Sequence, residues 1–257
     1  MKANHSFHRA KYLSLGVIIV LIGGCNRGPT NTPTGPTKRE VVERFRQPYA
    51  AMSERLKQIA QQLPARGSVK NNVSESKKVT RVNLEPAPSY KWSAAKGQVN
   101  DNTGVMAAER LLDPEATPEF DLMLPGFPQD CFYWLGPKFA AAADLTMEDH
   151  GSLQNGFEAG LARRYLLVYR TARFDRPMVI DSTSYKPGAI ALEVFLVDLQ
   201  SNKIVTSFLA SAQTAQEARY PANANIGVHV VDTLRQNVRA AIADGIAMTT
   251  GGAFEYR

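Results

Sequence analysis

The chain has 257 residues, 44% of them hydrophobic and 21% charged, with a formal net charge of +6. These proportions describe a globular protein rather than a disordered one, and the length suits one sizeable domain with appendages or two small ones. The charge is unevenly spread: Lys38 to Asp101 carries 13 Lys/Arg against 6 Asp/Glu, whereas Val105 to Arg257 carries 13 against 18. A basic arm beside an acidic body suits docking on anionic lipid or cell-wall polymer.

Residues 1–24 read as a signal peptide. A basic start with Lys2, Arg9 and Lys11 precedes an apolar run from Tyr12 to Ile22, and Gly23-Gly24-Cys25 follows. The run is too short for a membrane span, which takes roughly 20 apolar residues, and has the layout of a secretory signal. Leu21-Ile22-Gly23-Gly24-Cys25 resembles the lipobox of bacterial lipoproteins. The resemblance implies a diacylglycerol on the Cys25 thiol and cleavage before it, with an ordinary cleaved signal or an uncleaved anchor as the alternatives. A thiolate is the nucleophile able to take the lipid, and the glycines leave room for a peptidase. Asn26 is not the aspartate that retains such proteins in the inner membrane, so the expected address is the outer membrane, facing the periplasm. Export also makes nucleic acid a poor partner. Cys131 then remains without a pair, so no disulfide staples the fold, and its place in Cys131-Phe132-Tyr133-Trp134-Leu135 favours burial.

Residues 25–37 read as a tether. Asn26 to Thr37 holds three prolines and two glycines among small polar residues, which cannot bury a face. Residues 38–64 read as an amphipathic helix opened by the capping box Thr37-Lys38-Arg39-Glu40. Val42, Phe45, Tyr49, Met52, Leu56, Ile59 and Leu63 form a heptad seam. Pro48 predicts a kink or a division into two helices. The seam packs on the protein's own body, or else on a second copy or a partner. Residues 65–104 read as an irregular or disordered connector, with a short strand at Val79–Leu84 and with Tyr90 and Trp92 pinned to the body.

Residues 105–257 read as an α+β domain: a small mixed or antiparallel sheet packed by helices, with the heptad helix before it. The pattern predicts a short helix at Met106–Leu112, a strand at Glu119–Leu124 and a helix at Ser152–Arg164 carrying Leu153, Phe157 and Leu161. A buried strand follows at Tyr165–Arg170, then a hairpin from Ala189 to Ala210 turning at Leu199-Gln200-Ser201-Asn202. A closing helix spans Val228–Met248, with Val231, Leu234, Val238, Ile242 and Ile246 on its stripe and Gly251-Gly252 beyond it. Val194 to Val205 resembles the Leu-Val-Asp-x-x-Thr-Gly-x-Val hairpin of exported lipoproteins of the curli-secretion and peptidoglycan-synthase-activator kinds. Ser201-Asn202 stand where that pattern has Thr-Gly, and the likeness covers about 60 residues. It implies a strand, hairpin and final helix in one sheet used to dock on partner proteins, and it carries over no functional residue.

Chemistry-bearing groups are sparse. Asp144, Glu148, Asp149 and His150 are clustered without any metal spacing, and they read as a solvated loop capping the next helix. No Gly-x-Ser-x-Gly elbow and no phosphate loop occurs, so no cofactor, catalytic residue or metal ligand is expected. Glu193 reads as an outward-facing residue of its strand, with a poised carboxylate in a cleft as the alternative. Phe132, Tyr133 and Trp134 read as core anchors, or as a contact that seats a partner. These features favour a membrane-anchored envelope lipoprotein with a non-catalytic adaptor domain for a protein partner or the cell wall. The alternatives are a periplasmic hydrolase using carboxylates such as Glu148 and Glu193, and self-association through the Val42–Leu63 seam.

Overall fold

The heptad seam of the first helix is spent on the protein's own core. In the computed structural model, which describes residues 36–70, 80–93, 97–98, 101–124, 150–181, 184–215 and 225–256, α1 runs unbroken over Lys38–Gln62. The Thr37 hydroxyl accepts from the Glu40 amide, and the Glu40 carboxylate accepts from the Thr37 amide at 2.7 Å. The Thr37 amide first, and then the Thr37 hydroxyl, which also donates to this carboxylate, hold the Glu40 carboxyl below its usual range. Pro48 lies inside α1 without splitting it. Its ring is on the exposed face of the helix.

The main sheet has four strands in the order β3-β4-β7-β8: β3 Thr103–Ala107, β4 Tyr165–Asp175, β7 Ala189–Asp198 and β8 Lys203–Gln213. β3 runs parallel to β4, and the remaining neighbours are antiparallel. The fold is α+β, with helices on both faces of this mixed sheet. On one face Tyr165, Leu167, Leu192, Val194 and Leu196 pack with Leu234, Val238, Ile242 and Ile246 of α3 (Ile226–Thr250). On the other, Leu166, Val168, Phe195 and Val197 pack with Met52, Leu56 and Ile59 of α1. Burial on both faces explains the unalternating apolar runs of β4 and β7. The front half of α1 is covered by α2 (His150–Leu161), where Phe157 stacks on Phe45 at 4.9 Å and meets the Tyr49 ring edge-on. A full burial of this kind is worth about 1.5–3 kcal/mol per large apolar side chain.

Several expected elements take another form. Met106 and Ala107 belong to β3 rather than a helix, because Val105 to Ala107 pair with Leu167 to Tyr169 of β4, and only Ala108–Leu111 turns helically, as a 3-10 segment. Glu119–Leu124 is not a strand. The Leu122 amide donates to the Tyr169 hydroxyl, and Arg235 and Arg239 donate to the Asp121 and Leu122 carbonyls, so side chains replace a ladder. Of the strand expected at Val79–Leu84, Val79 lies outside the described residues and Thr80–Leu84 forms no strand, although the Val82 amide donates to the Thr249 carbonyl at 2.7 Å. The stretch expected as connector contributes β1 (Ser89–Ser93) and β2 (Gly97–Gln98). β1 pairs in parallel with the last strand, β9 (Ala253–Tyr256), and Tyr90 stacks on Phe254 at 5.5 Å. Gly251 makes that return possible: its φ of 73° ends α3 in the left-handed region, and a Cβ there would strike the Arg81 guanidinium. On α3 itself the buried stripe begins at Ile226 and Val230, with Val231 half-buried.

The β7–β8 hairpin forms as its sequence indicates. Asn202 turns it at φ 56°, and the Asp198 carboxylate accepts from the Gln200 amide, the Ser201 hydroxyl and Arg164. A short pair, β5 (Met178–Val179) with β6 (Tyr185–Lys186), rests near the start of α3, where Tyr185, Ile226 and Val230 are buried together. Among the described residues, no helix is long and apolar enough to cross a membrane.

Candidate functional site

The carboxylate of Glu193 is fully buried, not outward-facing as its place in the strand suggested. Alternation sets it on the α1 face of β7, beside Phe195 and Val197, and the segment leaving α1 covers it. One of its oxygens accepts from the Arg170 guanidinium at 2.7 Å, directly across the strands, and the other accepts from the Val69 amide at 3.0 Å. Burial alone would raise its pKa. The hydrogen bonds from Val69, Arg170 and Gly67 outweigh that and hold the carboxyl below its usual range. Arg170 also donates to the Pro64 carbonyl and lies over the Phe195 ring, and Arg66 donates to the Thr171 carbonyl. The group is a clasp that fastens residues 64–69 across β4 and β7. A saturated, ionised carboxylate of this kind is a poor proton donor near neutral pH.

The other singled-out residues are dispersed. Cys25, Cys131, Phe132, Tyr133, Trp134, Asp144, Glu148 and Asp149 lie outside the described residues. His150 is the first residue of α2 and His229 lies in the first turns of α3. Among the described residues, no three His, Cys, Asp or Glu side chains come together as a metal cage would require.

The open surface is at the other side of the sheet. β8 is its outer strand, 11 residues long, and has no neighbour on its free edge among the described residues. Such an edge leaves roughly half of the strand's backbone N–H and C=O groups facing outward. Edges of natural sheets are usually guarded by lysine, proline or a bulge pointing outward. β8 has no proline, its single lysine is at the first position, and its bulge lies near that same end, opposite Leu196 and Val197. From Thr206 to Ala212 the edge is unguarded.

A groove of about 480 Å³ runs between this part of β8 and α3, lined on the strand by Ala210, which faces α3, with Leu209 and Ser211 on either side of it, and on the helix by Asn237, Ala240, Asp244 and Met248. The helix comes this close because Gly245 packs against the Phe208 ring, where any Cβ would collide with the ring. Asn237 donates to the Gln213 carbonyl at 2.9 Å and closes one end. Among the described residues, Asp244 is the only ionisable side chain in the lining, and Met248 leaves 42% of its surface in water. The arrangement offers main-chain hydrogen bonds, small apolar contacts and one negative charge.

The sequence did not reveal this groove because its helix side sets a single charge, Asp244, among small residues that form no motif. The signal available was the run Ala240-Ala241-Ile242-Ala243-Asp244-Gly245-Ile246-Ala247-Met248, in which Ala240, Asp244, Ala247 and Met248 are the exposed positions. No protein family, curated protein or solved structure matches this chain.

Proposed function

We propose that this chain is an envelope lipoprotein, acylated at Cys25 and tethered through residues 25–37, that presents its α+β body as a non-catalytic adaptor to a partner protein. The signal-like start ending in Leu21-Ile22-Gly23-Gly24-Cys25 supports the anchor. Two acyl chains on one cysteine give the stable attachment that a single chain does not. The observation that carries the adaptor reading is the unguarded β8 edge with its adjoining groove, a surface built for contact rather than for bond breaking. Asn26 supports delivery to the outer membrane, where the body faces the periplasm, with the cell wall as the other polymer within reach.

The anchor is tested by growing cells on labelled palmitate. The full chain takes up label and fractionates with membranes, whereas Cys25→Ser takes up none. Label retained by Cys25→Ser would contradict acylation at that thiol.

A further inference from the structure

We infer that the β8 edge receives an extended segment of a partner protein as a fifth strand of the sheet, with small or apolar side chains over the α3 groove and a cationic one beside Asp244. The inference rests on the adaptor reading and gives it a site. Three observations choose the occupant. The outward N–H and C=O groups of an edge strand are best satisfied by another strand, which returns one donor and one acceptor per pair of residues. On the helix side three alanines line the groove together with Asn237, Asp244 and Met248, and Gly245 holds α3 close, which suits small apolar side chains. Its single ionisable lining residue is Asp244, an exposed carboxylate without an ion-pair partner among the described residues, and it favours a cation. Strand addition also explains why so long an edge is left without a guarding charge in its middle.

The test uses the detergent-solubilised full chain and labelled ten-residue peptides of alternating valine and serine, carrying one lysine, one glutamate, or one lysine with two central prolines. Ten extended residues span about 33 Å, close to the length of β8. The expected order is the lysine peptide tighter than the glutamate peptide by about threefold, the scale of an exposed ion pair. Removing two main-chain donors with proline weakens binding by about tenfold. Asp244→Lys reverses the charge preference, and Ala240→Arg, which fills the groove from an exposed helix position, abolishes binding without disturbing the core. Equal binding of the proline and proline-free peptides would overturn the proposal, as would an unchanged charge preference in Asp244→Lys. Dimerisation of the full chain that Ala240→Arg abolishes would overturn it too, assigning the edge to a second copy. If a partner crosslinks in cells only from positions away from the groove, the strand-addition proposal fails while the adaptor reading stands. Peptide binding without any partner in cells fails the adaptor reading instead.

Discussion

Glu193 shows how a single buried charge is made tolerable in this protein. An isolated carboxylate would not stay ionised in the core, but here an arginine opposite and backbone amides above supply its partners. Truncating one member of such a pair leaves the other uncompensated. Glu193→Ala is therefore expected to cost about 3–5 kcal/mol of unfolding free energy, measured by denaturant melts of the detergent-solubilised chain. The pH dependence has a definite sign. Because the folded protein holds this carboxyl below its ordinary value of 4.5, the stabilisation is complete above about that pH and is lost as pH falls through the lower folded value. Glu193→Gln removes that part of the acid sensitivity, and an unchanged acid limb in this variant would contradict the clasp. The sequence showed a charge inside an apolar strand, and alternation alone placed it outward. What it did not show was that both faces of β7 are covered, one by α3 and the other by α1 and the segment after it. Arg170, closing the apolar run of β4 just as Glu193 interrupts that of β7, was the signal of a cross-strand pair.

Among the elements, α1 was the most legible and the least decided. Its capping box and seam could be read residue by residue, since both depend on spacing along one helix. The destination of the seam could not, because a heptad pattern fits any apolar surface of the right shape. In the fold the seam is divided between α2 and the sheet, and Leu56 is buried against the β4–β7 face. Leu56→Asp is therefore expected to unfold the body, with loss of near-ultraviolet circular dichroism, rather than to dissociate a folded oligomer. A folded monomeric Leu56→Asp variant derived from an oligomeric parent would contradict this. β3 and β9 were illegible for a related reason. Thr103–Ala107 and Ala253–Tyr256 are short, and each becomes a strand only because a distant neighbour, β4 or β1, supplies the ladder. The β7–β8 hairpin needed no such help: its ladder partner is its own next strand and Asn202 makes the turn.

For the molecule as a whole, the sequence divides its information between two ends. On the function proposed above, the address rests on local chemistry in the first 25 residues, whereas the proposed binding surface arises only when β8 is left at the rim and α3 folds beside it. No motif marks an edge, since being an edge is a property of strand order. A tether and an anchor would hold this edge near other envelope proteins, where even modest affinity becomes effective through high local concentration. The most direct measurement is light-induced crosslinking in living cells from a photoreactive residue replacing Met248, a large and exposed side chain of the groove, in the full, acylated chain, with Glu54 on the exposed face of α1 as the control position. The expected result is one dominant adduct with an envelope protein from position 248, absent from Glu54, weakened in Asp244→Lys and lost in Cys25→Ser. Identical adducts from both positions, or cell-wall fragments in place of a protein, would contradict an adaptor that works through this surface.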